Sequence, residues 1–152
     1  MRQPAKRALS DGRAAQRSPR GLAFSRAALA AGKPTPLNKV DGFADGVAVK
    51  LIGTNTFDIA QRVVDETITV SNDEICAAVK DVFEATRTVV EPAGALALAG
   101  LIKQAREGKA PSGDCVVILS GANVNFDRIG HIVERAELGA GGEMLFAATI
   151  PE

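Results

Sequence analysis

The stretch best suited to do chemistry is Ser120-Gly121-Ala122-Asn123. It follows the apolar run CVVIL (115–119) and precedes a helix signal at Asn125 or Asp127. In open α/β sheets, ligands sit beyond the carboxyl ends of the strands, and a Ser at that point can present its hydroxyl to one. The same four residues also serve as a plain turn. Glu91 precedes Pro92 at a helix start. Its carboxylate can complement the positive end of the helix dipole or stand as an acid beside a ligand. Asp45-Gly46 can be a tight turn or a close backbone approach to a cofactor, and spacing alone favours the turn. The single histidine, His131, lies between Ile129 and Ile132 on a helix-like stretch. With no second His and no Cys pair at ligand spacing, no metal site is predicted. Cys76 reads as a small core residue. Neither a G-x-G-x-x-G, nor a P-loop, nor a G-x-S-x-G elbow occurs, so dinucleotide, P-loop and α/β-hydrolase readings lose support.

These residues need elements to hold them. Residues 22–31 permit a short helix stopped by Gly32 and Pro34, and 33–46 read as a loop. Phe57, Ala60 and Val63/Val64 recur at helical spacing, which predicts a helix over 56–65. Residues 67–70 alternate weakly and suit a short strand. Ser71-Asn72-Asp73-Glu74 fits the S-x-x-E capping box, in which the Ser oxygen and the Glu carboxylate satisfy orphan N–H groups. Ile75, Val79, Val82 and Phe83 then form one apolar stripe. Pro92 suits the first turn of the Ala/Leu-rich run to Ala105, and Gly108 ends it. The run 115–119, bounded by Gly113 and Gly121, predicts a strand buried on both faces, as in a parallel sheet. A helix to about Leu138 follows, broken by Gly139, Gly141 and Gly142, and 144–150 could form a last strand. Strands alternating with helices predict an α/β architecture: a partial three-layer fold with a small, mostly parallel sheet and flanking helices.

The 152 residues suit one domain with or without a tail. Hydrophobic residues at 46% can bury a real core, and two Cys cannot make a disulfide scaffold, so a reduced cytoplasmic setting is expected. No run reaches the roughly 18 apolar residues of a membrane helix. The net charge of zero hides an asymmetry. Residues 1–33 hold eight basic groups and one acid, a charge of +7. The remainder holds ten basic and 17 acidic groups, a charge of −7. Residues 1–24 therefore read as a basic arm, with disorder the default for so few large apolar side chains. A transit peptide, a shifted start or a phosphate-binding arm compete with that reading. The arm has no aromatic residue before Phe24 to stack on bases, and no nucleic-acid partner is expected.

The strings FADGVAVKLIG (43–53), SNDEICAAVKDVFE (71–84), VEPAGALALAG (90–100), ILSGANVNFDRIGHIVERAELG (118–139) and TIPE (149–152) closely resemble the biosynthetic threonine dehydratase family. These are pyridoxal-phosphate (PLP) enzymes of fold type II, with a tryptophan-synthase-β-like fold. The resemblance covers about residues 27–152. It implies PLP as cofactor, L-threonine as substrate, 2-oxobutanoate and ammonia as products, a place in isoleucine biosynthesis, and a tetramer in the full-length family. By position it also implies that the Ser120 hydroxyl bonds the PLP ring nitrogen, with Gly121 completing that turn. Asp45 and Gly46 match an A-D-G segment near the cofactor, and Glu91 opens the E-P-[SA]-G segment lining the active site. The family's S-F-K-x-R-G-A motif, which carries the Schiff-base Lys, and its glycine-rich phosphate loop do not occur among the 152 residues. The expectation is a carboxyl-terminal portion of the catalytic domain over 25–152, cut before the regulatory domain. Such a portion supplies no catalytic residue and is inactive alone. A shifted start then explains the arm better than a transit peptide. The alternative is a non-catalytic α/β module, or a subunit that completes a site with a partner chain.

Overall fold

The computed structural model describes residues 15–19 and 24–140 and divides the chain into two compact units that meet at Val70/Ser71. In the first, strand β1 (Ala15–Pro19) pairs in parallel with strand β2 (Glu66–Val70), in a register that sets Ala15 opposite Glu66 and Pro19 opposite Val70. Helix α1 (Phe24–Ala31) and helix α2 (Thr54–Val63) lie between them in sequence, as a parallel pair requires of its crossover. Gly32, at φ +66°, ends α1 in the left-handed conformation that suits a glycine. Ala28, Ile52 and Phe57 form a small buried cluster, with Leu29 packed against it.

The parallel pair agrees with the expected sheet, but its first strand comes from the segment expected to be disordered. Backbone pairing with β2 supplies at 15–19 the order that the polar side chains do not. A Pro is tolerated at the end of such a strand because it withholds only one ladder donor.

The second unit is built on helix α3 (Asn72–Thr86), which packs against helix α4 (Pro92–Arg106) and helix α5 (Phe126–Ala140). Its capping box is complete. The Ser71 hydroxyl accepts from the Glu74 N–H at 3.2 Å, and the Glu74 carboxylate accepts from the Ser71 N–H at 2.5 Å. Ile75, Val79 and Val82 are buried as the stripe predicts. Phe83 departs from it and is 44% exposed, with the Arg87 guanidinium 5.8 Å from its ring centre. Ion pairs join the helices at their polar edges. Asp73 pairs with Arg135 at 2.7 Å, Glu74 with Lys103 at 3.3 Å, and Lys80 with Glu137.

Two further expectations change. The helix does not break at Gly139, because α5 runs through it to Ala140. A Cβ there would stand 2.0 Å from the Asp73 carbonyl oxygen, so this glycine marks close helix contact rather than a stop. Residues 115–119 form no strand and are not buried. Val116 is 92% and Ile118 77% exposed. An apolar run fits burial on both faces only where neighbouring strands and covering layers exist, and none is found among the described residues. The strand expected at 144–150 lies outside them.

Glu74 ties the caps to pH. Partial burial pushes its pKa up, but the hydrogen bond from the Ser71 N–H and the charge of Lys103 outweigh that and hold it below the usual carboxylate range. A carboxyl lowered in the folded state adds stability above its unfolded pKa and loses it as pH falls through the folded one. Urea midpoints are therefore expected to drop below about pH 4.5, and Glu74→Gln is expected to flatten that drop. Ser71→Ala is expected to cost about 1 kcal/mol at neutral pH. Thiol reactivity gives an independent check. Burial pushes the Cys76 thiol up to about 12, whereas Cys115 is exposed. Iodoacetamide at about pH 8 is expected to label Cys115 and spare Cys76 in the folded chain, as peptide masses will show.

Candidate functional site

Three of the residues singled out from sequence come together in the second unit. Glu91 is the residue just before α4, in extended conformation at φ −70° and ψ 156°. Its backbone N–H donates to the Gly121 carbonyl at 3.0 Å, and its own carbonyl accepts from the N–H groups of Gly94 and Ala95 at 2.9 and 3.1 Å. The backbone of one residue thus anchors the turn and opens the helix. Gly121 adopts φ +69°. A Cβ on it would lie 2.2 Å from the Glu91 carboxyl carbon, so the carboxylate sits over the bare face of this glycine.

Gly94 brings the two segments close. A Cβ at that position would be 1.5 Å from the Ser120 carbonyl oxygen and 2.6 Å from its carbonyl carbon. The first turn of α4 and the Ser120 peptide therefore touch backbone to backbone. Ser120 itself is exposed, as are Gly121, Ala122 and Asn123. The Val124 N–H donates to the Ala122 carbonyl at 2.9 Å, and the Arg128 N–H to the Asn125 carbonyl at 3.0 Å, which carries the turn into α5. The result is an exposed Ser120 on a segment fixed by backbone contacts, with an acid and a helix N-terminus beside that segment. A carboxylate in that place is favoured by the helix dipole.

Asp45 and Gly46 belong to the first unit. They form a short 3-10 turn, Asp45–Val47, in which the Asp45 side chain accepts from the Gly46 N–H at 3.0 Å and its carbonyl accepts from the Ala48 N–H at 2.9 Å. This is the geometry of the tight turn. His131 is exposed on α5. Each of the three lysines of the second unit is held by a carboxylate: Lys80 by Glu137, Lys103 by Glu74 and Lys109 by Glu107. The sequence reading missed what Gly94 does. One signal was available, since a glycine inside an Ala-rich helix costs about 1 kcal/mol against Ala and needs a packing reason.

The parallel strand pair and the turn packed on the start of α4 fit one class of protein, and comparison with known proteins identifies it. The family model described as pyridoxal-phosphate dependent enzyme matches residues 10–121, more than half of the chain, and the chain belongs to that family. The match begins earlier than the motif strings do and takes in β1. Within the family the chain is similar to threonine dehydratases. It is 52% identical over 125 residues to the biosynthetic L-threonine dehydratase of Pasteurella multocida, and 52% identical over 122 residues to the mitochondrial threonine dehydratase of Saccharomyces cerevisiae. These matches cover 82% and 78% of this chain. The structure resembles the processed form of threonine deaminase isoform 2 from Solanum lycopersicum, with a TM-score of 0.80 and 37% identity, covering 84% of this chain and 37% of that one. The chain spans between a fifth and a quarter of the length of the curated relatives named here, 24% and 21%.

Gly94→Ala is expected to force α4 off the Ser120 peptide, since backbone cannot move aside as a flexible side chain can. The expected cost is about 2 kcal/mol or more, read from thermal unfolding, with amide NMR shifts concentrated at 119–125.

Proposed function

We propose that this chain forms the Ser120 turn and helix-start part of a PLP site in a threonine dehydratase, an enzyme that converts L-threonine to 2-oxobutanoate and ammonia in isoleucine biosynthesis. The observation that carries the reading is the exposed Ser120, whose peptide is packed against the first turn of α4 next to Glu91. When bound, PLP supplies an electron sink that lets the substrate lose a proton and then its hydroxyl.

The residues present suit one edge of that group. An uncharged hydroxyl can hydrogen-bond an aromatic ring nitrogen without forcing a proton onto it, which keeps the sink moderate and suits β-elimination. Gly121, having no side chain, leaves room for the Glu91 carboxylate beside the turn. Glu91 adds negative charge at the rim, where its backbone also holds the turn. The match of Asp45 and Gly46 to the A-D-G segment proposes them as further cofactor-side residues. The Schiff-base Lys and the phosphate loop are not drawn from these 152 residues, so the reading gives this chain cofactor-positioning groups and no catalytic lysine. The cytoplasmic setting and the tetramer stay attached to the reading as its further proposals.

A chimaera tests it. Residues 27–140 replace the matching stretch of the Escherichia coli biosynthetic relative, which is 52% identical over 127 residues. The chimaera is expected to bind PLP and to release 2-oxobutanoate from threonine. Ser120→Ala within it is expected to lower kcat by at least about tenfold and to shift the cofactor's absorption, through the lost hydrogen bond to the ring nitrogen. A folded chimaera that binds PLP yet leaves threonine untouched would overturn the reading.

A further inference from the structure

Two unusual residues meet at the end of α3. Phe83 lies on the apolar stripe and yet stands exposed, and Arg87, just past the helix, adopts φ 58° and ψ 23°. Among the described residues, Gly32, Gly108, Gly113 and Gly121 also have positive φ, and Arg87 is the one there that carries a side chain. A Cβ in the left-handed conformation crowds the following carbonyl oxygen, so a glycine would close the helix more easily. What an arginine adds is its head group. The guanidinium lies over the Phe83 ring, 5.8 Å from its centre, and the Arg87 N–H donates to the Phe83 carbonyl at 2.8 Å. Backbone and side chain thus hold the same partner one turn back. Thr86 stiffens the turn from the other side. Its hydroxyl donates to the Val82 carbonyl at 2.7 Å and accepts from the Thr88 N–H at 3.2 Å.

That turn aims the link to α4. Residues 88–90 separate Arg87 from Glu91, whose N–H reaches the Gly121 carbonyl. Four residue steps span at most about 14 Å. A return of Arg87 to ordinary negative φ would swing the link by a distance comparable with that length, whereas a hydrogen bond tolerates only a few tenths of an ångström. Val90, buried just before Glu91, fixes the far end. Left-handed strain in a residue with a side chain persists only where its surroundings enforce it, and such strain gathers at functional sites. We propose that Arg87 is a positioning residue for the Ser120 turn: stacked on Phe83, it holds the left-handed turn that carries Glu91 to Gly121. The consequence for a cofactor rests on the functional reading above, and the backbone consequence does not.

The whole chain without cofactor is the first probe. Arg87→Gly relieves the left-handed strain, so its thermal midpoint is expected to stay close to the parent's. Amide exchange at Glu91 is nonetheless expected to quicken at least about tenfold, with amide NMR shifts at 119–123. Phe83→Leu keeps apolar bulk, removes the aromatic face and is expected to do the same. Arg87→Lys keeps a cation for the ring and is expected to hold Glu91 exchange within about threefold of the parent. A plain helix cap behaves otherwise, because glycine serves it as well as arginine and Glu91 exchange stays unchanged. That result, quickening by Arg87→Gly but not by Phe83→Leu, or a lysine as loose as the glycine would each overturn the proposal. In the Escherichia coli chimaera, Arg87→Gly is expected to shift the absorption of bound PLP and to lower kcat at least about fivefold. Unmoved absorption alongside quickened Glu91 exchange would also overturn it. A chimaera that takes up no PLP would count against the functional reading instead, and Glu91 exchange then decides the inference alone.

Discussion

The contact between Gly94 and the Ser120 peptide is the constraint on which the site depends. Two backbones meet there at a distance that admits no side chain, and the Glu91 N–H closes the contact by donating to Gly121. Neither segment could hold this geometry alone. An extended segment after an apolar run is free to rotate, and the N-terminus of a helix leaves its first donors unsatisfied. Joined, each supplies what the other lacks. The helix gains a partner for the residue before it, and the turn gains a fixed backbone position for Ser120.

Around that contact the second unit is organised by α3. Its apolar face is buried and its N-terminus is tied three ways: by its own capping box, by Lys103 of α4 and by Arg135 of α5. Half-exposed ion pairs add little stability singly, so the buried stripe and the caps do most of the holding. The pairs fix register instead, because each places one residue of a neighbouring helix beside one residue of α3. Gly139 serves the same end by letting α5 lie against the α3 N-terminus.

The exposed run at 115–119 shows how a pattern can be right about suitability and wrong about circumstance. Its composition describes the environment for which the segment is fitted. Burial also needs neighbours, and hydrophobic burial is a property of surfaces brought together rather than of a string of residues. The basic arm shows the converse. Residues 15–19 carry little apolar surface, yet they pair with β2, because a sheet ladder rewards the backbone whatever the side chains.

Local chemistry made much of this protein legible beforehand. The capping box at Ser71–Glu74, the proline that opens α4, the helices around Phe57 and Ile132 and the strand at 67–70 all follow from spacing, capping and turn chemistry within a few residues. The motif strings carried the family, and so the reading of Ser120 and Glu91. The close approach at Gly94, the continuation of α5 through Gly139, the exposure of Phe83 and the parallel partner of β2 could not be read that way. Each depends on which distant segment arrives alongside, and a glycine that permits contact looks the same in sequence as one that ends a helix. Only the packed helices decide which it is, because the clash a Cβ would make exists only once both backbones are in place.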